Sequence, residues 1–309
     1  MVVPGGSTTR IGVPRSILHY EFGGIIARFL GGLGVDVELS PPTRREIFAA
    51  GKRAVIDELC FPIKIFVGHV AYLVAQQVDR VVIPVIVGHE NDRMFPCHPR
   101  SRLADIVRAL GVCEESQLLT PAFRFHKDGL SVEGFQGLAR SLGFSKAACS
   151  KALEEATAVN LCRRSVDAGR GGPTLGLIGR PYVTADDWAN HHIVQRLQRL
   201  GCRVVTEEDA GNAGYAPEGT GLHFALAART LNLARQWDEK PEVNGLVFLL
   251  PFNCGPDGDI ARYLTGTIAK PMLTLVLDEL RSSAGMTTRL EAFIDLLGRS
   301  AVAVGGRSL

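Results

Sequence analysis

Three cysteines share one local sequence, in which a proline follows two residues later: Cys60-Phe61-Pro62, Cys97-His98-Pro99 and Cys254-Gly255-Pro256. Proline is favoured in the first turn of a helix, so each motif predicts a helix that begins directly after its cysteine. Backbone N–H groups at a helix start favour a thiolate over a thiol. The shared motif therefore predicts three reactive or metal-binding sulfur atoms.

Soft sulfur ligands leave two kinds of metal centre as candidates, a zinc site and an iron–sulfur cluster. The sequence contains no Cys-x-x-Cys pair, which excludes a zinc ribbon. Three cysteines under-coordinate a four-iron cluster and leave one iron for water, a substrate or a fourth side chain. The structural alternative is that Cys254 fills a tight turn as a small buried residue. The remaining cysteines are expected to be structural: Cys113, Cys149, Cys162 and Cys202.

Four further residues are candidates for contact with a bound cofactor: Lys64, His69, Arg180 and Asp257. His69 and His98 are candidate fourth ligands or donors to cluster sulfide, although a lone histidine is more often structural. Arg180 follows a predicted strand within Gly179-Arg180-Pro181-Tyr182, where backbone N–H groups and a guanidinium can bind an anion. The alternative is an ordinary strand-to-helix turn with a surface arginine.

Predicted strands alternate with predicted helices along the whole chain, which indicates an α/β fold. The clearest strands are 10–13, 35–39, 81–87, 174–178, 203–206, 247–250 and 272–277. Among the intervening segments, 17–33 and 185–200 carry apolar residues at helical spacing. We expect two Rossmann-like or flavodoxin-like lobes with mainly parallel sheets and an interdomain cleft.

The segment from Arg163 to Pro173 is rich in glycine and has no apolar periodicity, which marks a domain boundary. The predicted domains are residues 1–165, with Cys60 and Cys97, and residues 172–309, with Cys254. If each cysteine lies at a helix start that faces the cleft, three sulfurs from two domains meet at one centre.

The charge balance argues against a nucleic-acid or anionic-membrane partner, because 34 basic and 32 acidic residues give a net charge of +2. No apolar run approaches the roughly 20 residues that span a bilayer, and the first residues lack the core of a signal peptide. Seven cysteines without a regular framework fit a reducing compartment, so we expect a cytoplasmic protein. Neither GxGxxG nor a P-loop motif occurs, so dinucleotide binding and ATP hydrolysis lack direct support.

Six stretches resemble the 2-hydroxyacyl-CoA dehydratase subunits and, more closely, the domain related to CoA-substrate-specific enzyme activases. In order from Ile11 to Leu297 they are IGVPRSILHY, LSPPTRREI, DELCFPIKIFVGHVAYL, LIGRPYVTAD, FNCGPDGD and LDELRSSAGMTTRLEAFIDLL. The resemblance implies a four-iron four-sulfur cluster, or a double-cubane cluster, held by Cys60, Cys97 and Cys254. It also implies an ATP-hydrolysing, actin-like activase as electron donor, an acyl-CoA as candidate substrate, and pairing with a second copy or a related subunit.

Three functional hypotheses follow. The first is an iron–sulfur protein of anaerobic metabolism that takes a low-potential electron from an activase and passes it to a bound substrate, as an acyl-CoA dehydratase-like lyase or a low-potential reductase. The second is a non-catalytic, cluster-bearing module for electron transfer or accessory reduction of a partner. The third is a zinc-stabilised ligand-binding protein.

Overall fold

A computed structural model describes residues 9–89, 94–126, 129–158, 172–210, 223–280 and 283–305. The chain divides into two compact units. Unit 1 comprises Met1–Cys162 with His223–Ala225, and unit 2 comprises Arg163–Leu222 with Leu226–Leu309. Of the predicted boundary segment, only Gly172 and Pro173 lie within the described residues.

Unit 1 alternates strands and helices from its first element. They are β1 (Arg10–Val13), α1 (Leu18–Glu21), α2 (Ile25–Gly32), β2 (Asp36–Leu39), α3 (Arg45–Ala54), α4 (Phe61–Ala75), β3 (Arg80–Val82), β4 (Val85–His89), α5 (His98–Ser101), α6 (Leu103–Ala109), β5 (Leu118–Leu119), β6 (Ala122–His126), β7 (Gly129–Leu130), α7 (Val132–Ser141) and α8 (Lys146–Ala158).

Unit 2 continues the alternation. Its elements are β8 (Thr174–Ile178), α9 (Pro181–Thr184), α10 (Ile193–Arg199), β9 (Arg203–Val205), α11 (Glu207–Ala210), α12 (Ala225–Glu239), β10 (Gly245–Pro251), α13 (Gly255–Thr267), β11 (Met272–Leu277) and α14 (Ser283–Gly305). Among the described residues, no helix has both the length and the apolar character needed to cross a bilayer.

The main sheet of unit 1 is parallel, with the strand order β2-β1-β3-β5, and a second sheet has the order β4-β6-β7. Pro84 separates β3 from β4, and Pro121 separates β5 from β6. Proline has no N–H to donate, so the hydrogen-bond ladder is interrupted at these two positions and the strands are divided between two sheets. Backbone bonds from Ile83 to Leu119 (2.8 Å) and from Val85 to Pro121 (2.9 Å) continue the pairing across the gap. The predicted strand 81–87 is therefore divided at Pro84.

The sheet of unit 2 is also parallel and has the order β11-β10-β8-β9. If strands are numbered along the chain within each of these two sheets, both sheets have the order 2-1-3-4. This is the doubly wound order of flavodoxin-like folds, whereas a Rossmann half has the order 3-2-1. The prediction of an α/β fold with mainly parallel sheets is confirmed, and the strand order favours its flavodoxin-like form.

The strand order determines where each unit can bind a ligand. The chain leaves the first strand toward one edge of the sheet and crosses back to form the third strand on its other side. A crevice therefore opens at the carboxyl ends of the first and third strands, the topological switch point. These strands are β1 and β3 in unit 1, and β8 and β10 in unit 2.

The predicted helix 17–33 is two helices, α1 and α2. Gly23 and Gly24, which separate them, have φ angles of 59° and 70°. A right-handed helix has negative φ throughout, so the chain turns at this pair although the apolar spacing continues through it.

The predicted helix 185–200 begins only at Ile193. The Asp186 carboxylate accepts hydrogen bonds from the backbone N–H groups of Trp188 and Ala189, each at 3.0 Å. His191 and His192 then adopt φ angles of 58° and 56°. Side-chain bonding thus replaces a helical turn in the segment before Ile193.

Each unit has its own apolar core. In unit 2, Trp237 of α12 is 2% exposed and lies over β8, where a Cβ at Gly176 would come within 3.0 Å of the indole ring. Phe248 of β10 is fully buried in the same cluster. In unit 1, the rings of Phe29 and Phe135 lie 4.9 Å apart, and the Phe135 ring lies 5.0 Å from that of Phe123 in β6.

Candidate functional site

The three cysteines of the Cys-x-Pro motifs occupy the same position relative to a helix. Cys60, Cys97 and Cys254 are the residues immediately before α4, α5 and α13, and each helix has proline in its first two positions. Their backbones are extended, with φ and ψ of −63° and 148°, −62° and 153°, and −89° and 98°. The prediction that a helix begins directly after each cysteine is confirmed.

Exposure separates these cysteines from the others that the structure describes. Cys60, Cys97 and Cys254 are partly exposed, whereas the described cysteines outside the motif are buried: Cys113, Cys149 and Cys202. Burial raises the pKa of all three buried thiols, and that of Cys202 reaches about 11. These thiols are therefore protonated and inert near neutral pH. Cys162 lies outside the described residues.

In unit 2, Arg180 and Asp257 form a buried ion pair across the switch point. Arg180 follows β8 and Asp257 lies in the first turn of α13, after β10. The Arg180 Nε donates to Asp257 Oδ1 at 2.6 Å, and Nη2 also contacts this oxygen. The two side chains are 3% and 0% exposed, so neither charge is solvated by water. The pair ties the start of α13 to the end of β8.

Cys254 lies within the electrostatic field of this pair. Burial by itself lowers the pKa of Arg180. Interactions with Asp257, Tyr182 and Cys254 raise this pKa by more than burial lowers it, so the net shift is upward. Arg180 therefore stays positively charged, and Cys254 is one of the groups that interact with this charge. The second carboxylate oxygen of Asp257, Oδ2, is buried and has no hydrogen-bond partner among the described residues.

Unit 1 contains a second buried ion pair at the equivalent place. Arg100 of α5 donates from Nε and Nη2 to the two carboxylate oxygens of Glu21, at 2.9 and 2.5 Å. The side chains are 2% and 1% exposed, and the guanidinium also lies 5.9 Å from the centre of the Phe125 ring. Glu21 ends α1, the helix that follows β1. The pair therefore ties the helix that begins after Cys97 to the segment after the first strand.

We call Arg100–Glu21 and Arg180–Asp257 the switch-point ion pairs. In each, one partner stands three residues after a motif cysteine and the other follows the first strand of the same unit. The charges are reversed between the units: the third residue after Cys97 is the basic Arg100, and the third residue after Cys254 is the acidic Asp257. Cys254 follows β10, the third strand of the unit 2 sheet, whereas Cys97 follows β4, the strand that comes after β3 beyond Pro84.

Cys60 is positioned differently, through the packing of α4 against α3. A Cβ at Gly51 would lie 1.9 Å from the Lys64 carbonyl oxygen, and one at Gly68 would lie 2.0 Å from the Ile47 carbonyl oxygen. Only glycine at both positions allows the two backbones to approach this closely. This contact fixes α4, and with it the Cys60 position at its start.

The structure gives His69 two hydroxyl partners within unit 1. Its Nδ1 bonds the Ser40 hydroxyl at 2.8 Å and its Nε2 bonds the Thr43 hydroxyl at 2.9 Å. Burial, and then the charges of Arg15 and His19, lower the pKa of His69 to about 3. The His69 ring is therefore neutral, and its two hydrogen bonds connect α4 to the loop after β2. For His69 to bind a metal or sulfide, one of these two hydrogen bonds would have to break.

Of the other residues predicted to contact a cofactor or cluster, Lys64 is buried and His98 is exposed. Lys64 is 4% exposed, and its Nζ lies 3.7 Å from the exposed carboxylate of Asp57. His98 is exposed on α5, beside Cys97. Of the predicted cofactor residues, the structure brings Arg180 and Asp257 together with Cys254.

No metal centre is assembled in the described part of the chain: no three His, Cys, Asp or Glu side chains there are grouped closely enough to hold a metal ion.

The sequence did not predict the ion pair of Glu21 and Arg100. The only local signal was an arginine three residues after Cys97, and nothing in the sequence indicated a partner 79 positions away.

The fold and these side chains define an α/β protein with mainly parallel sheets, in which three helices begin directly after a cysteine. The family model described as the CoA enzyme activase uncharacterised domain matches residues 10–209, well over half of the chain. The chain therefore belongs to this family. The matched region includes Cys60, Cys97 and Arg180 and ends before Cys254 and Asp257. A search of curated proteins finds no match.

Proposed function

We propose that this chain is an iron–sulfur, electron-transferring component of an activase-dependent CoA-enzyme system, with Cys60, Cys97 and Cys254 as cluster ligands. The observation that carries the proposal is the distinction among the described cysteines. Three share one position at a helix start and are partly exposed, whereas the other three are buried thiols. Membership of an activase-related family supplies the functional context.

The donor chemistry fits such a cluster. Thiolates are the usual ligands of iron in these centres, and three of them leave one iron open to a substrate oxygen. A bound cluster would supply one-electron transfer at low potential together with a Lewis-acidic iron. Arg180 keeps its positive charge and Cys254 interacts with this charge, which favours the anionic sulfur that ligation requires.

The switch-point ion pairs support the ligand role of two cysteines. Each pair is inaccessible to water and fixes the first turn of the helix that its cysteine begins. Rigid support of this kind is what holds metal ligands in place before the metal arrives. Cys60 receives its support instead from the close contact of α3 and α4.

The electron donor in this proposal is a separate ATP-hydrolysing, actin-like activase, in keeping with the activase-related family of this chain. The acceptor is an acyl-CoA bound to this chain or, in an accessory role, a partner enzyme. The two roles differ in whether this chain itself changes a substrate.

Anaerobic purification tests the proposal. We expect a brown protein with about four iron and four sulfide per chain, whose visible absorption bleaches when activase, ATP and a reductant are added. Colourless protein with one zinc per chain would contradict the proposal and favour a zinc-stabilised ligand-binding protein. Loss of hydroxyl from a 2-hydroxyacyl-CoA in the same mixture would assign a catalytic role, and bleaching without turnover would assign an accessory role.

A further inference from the structure

The backbone ahead of Cys97 is bound to a segment that lies much later in the chain. Phe95, two residues before Cys97, forms an isolated parallel bridge with Phe224. The Phe95 N–H donates to the His223 carbonyl at 2.7 Å, and the Ala225 N–H donates to the Phe95 carbonyl at 3.1 Å. Both backbone polar groups of Phe95 are therefore satisfied by this later segment.

The residues on either side of Phe95 are also fixed. The Met94 carbonyl accepts a hydrogen bond from the His89 N–H, at the end of β4, at 3.1 Å, and the Met94 side chain is buried. Pro96 is buried too, and its ring restricts the backbone that leads into Cys97. The position of Cys97 is therefore determined by contacts of the segment just before it, as well as by the ion pair after it.

The Cys97 strap, which we define as His223–Ala225, comes from a distant part of the sequence. Unit 1 comprises residues up to Cys162 and then this segment, whereas the residues directly before and after it belong to unit 2. The family match ends at residue 209, before the strap. Ala225 is also the first residue of α12, the helix that carries Trp237 of the unit 2 core. Cys97 thus receives part of its support from sequence outside the matched domain.

We propose that the Cys97 strap sets the position and accessibility of Cys97 and so supports this cysteine as a cluster ligand. The ligand part of this inference rests on the proposed function. The bridge consists of two hydrogen bonds, and Phe95 and Phe224 are 47% and 39% exposed, so the bridge can open without unfolding of unit 1. Contacts that orient a metal ligand typically change metal affinity by roughly ten- to a hundredfold. The strap residues are positioning residues in this account, because they act on Cys97 through the Phe95 backbone.

Ala225→Pro removes one of the two bridge hydrogen bonds. Proline is favoured at the first position of a helix and prefers an extended residue before it, which Phe224 provides in the bridge. Val132→Pro is the matched control: Val132 is the first residue of α7, follows the extended Ser131, and its N–H has no hydrogen-bond partner among the described residues. The two variants thus differ in whether the new proline removes a hydrogen bond of the Cys97 strap.

Iodoacetamide labelling of metal-free protein measures how accessible Cys97 is. We expect Ala225→Pro to raise the labelling rate of Cys97 about two- to tenfold, the effect of one net hydrogen bond on an opening equilibrium, and to leave Cys60 unchanged. Val132→Pro should label as the parent does. Parent-like labelling of Cys97 in folded Ala225→Pro protein, or the same rise at Cys60, would overturn the proposal.

Release of iron to a chelator from anaerobically purified protein tests the support of the ligand. We expect Ala225→Pro to release iron about ten- to a hundredfold faster than the parent and Val132→Pro, with a changed electron paramagnetic resonance spectrum of the reduced cluster. Release at the parent rate with an unchanged spectrum would overturn the ligand part of the inference.

Failure of the proposed function gives a different result: the parent holds no cluster, or Cys97→Ala keeps it, and the labelling of metal-free protein still decides on the strap. If Ala225→Pro does not fold, hydrogen–deuterium exchange in the parent decides instead. The Phe95 amide should exchange faster once Cys97 is alkylated, because two coupled sites affect each other equally. Equal exchange before and after alkylation would count against the proposal.

Discussion

Arg100 and Asp257 hold equivalent positions in the two units and carry opposite charges. Each is the third residue after a cysteine that precedes a helix, and each forms a buried ion pair with a residue that follows the first strand of its own unit. A buried pair needs complementary charges but not a particular order of them. The same link between helix start and first strand is therefore built twice, from reversed charges.

The first prediction concerns the Arg180–Asp257 pair. Asp257→Ala leaves the Arg180 guanidinium buried without its counter-charge, and we expect a loss of about 3–5 kcal/mol in the free energy of unfolding, measured by urea denaturation. Asp259→Ala, an exposed change on the same helix, should cost less than about 1 kcal/mol. The double change Arg180→Met with Asp257→Leu should recover most of the loss. A double variant no more stable than Asp257→Ala would contradict this account.

The second prediction concerns the contact of α3 with α4. Gly51→Ala and Gly68→Ala each place a methyl group about 2 Å from a backbone carbonyl oxygen, so the helices must separate. We expect each change to cost about 1–3 kcal/mol or more in thermal or urea unfolding. Gly31→Ala is the matched control, since its Cβ would meet nothing within 4 Å, and in a helix it should stabilise by about 0.5–1 kcal/mol. Equal effects at Gly31 and Gly51 would rule out the close contact.

The third prediction follows from the pKa of His69, about 3 in the folded protein against 6.5 for a free histidine. Between these values the unfolded chain binds a proton that the folded chain does not, so stability falls as the pH drops below about 6.5. The contribution approaches about 1.4 kcal/mol per pH unit. Urea denaturation between pH 5 and pH 8 should therefore give a shallower pH slope for His69→Gln than for the parent. Parallel profiles would show that His69 takes up a proton in the folded state.

The fourth prediction concerns thiol reactivity in metal-free protein. Cys202, with a pKa raised by burial to about 11, has roughly a hundredfold less thiolate than an ordinary cysteine. Iodoacetamide labelling followed by peptide mass spectrometry should modify Cys60, Cys97 and Cys254 first, and Cys202 last. In denaturant all should react at similar rates. Labelling of native Cys202 as fast as Cys254 would contradict the division of the cysteines into two classes.

The helix starts and the most regular strands could be predicted from the sequence because their signals are local. A proline two residues after a cysteine specifies where a helix begins, and short, mostly apolar runs specify the strands 174–178 and 272–277. The mainly parallel α/β fold follows from the alternation of these elements.

Other features depend on contacts that a local pattern does not contain. Apolar spacing continues through Gly23 and Gly24, and only their positive φ angles show that the helix breaks there. Glu21 and Arg100 look like surface charges in the sequence, and only the fold brings them together and removes them from water. His69 was predicted as a cofactor contact, and the two hydroxyls that occupy its ring nitrogens come from a loop more than 25 residues earlier.

Iron and acid-labile sulfide content, measured on anaerobically purified protein, tests the central claim most directly when Cys254→Ala is compared with Cys202→Ala. The parent and Cys202→Ala should each hold about four iron and four sulfide per chain, and Cys254→Ala, like Cys60→Ala and Cys97→Ala, should lose most of both. Equal iron and sulfide in all of these proteins, or none in the parent, would contradict the assignment of Cys60, Cys97 and Cys254 as cluster ligands.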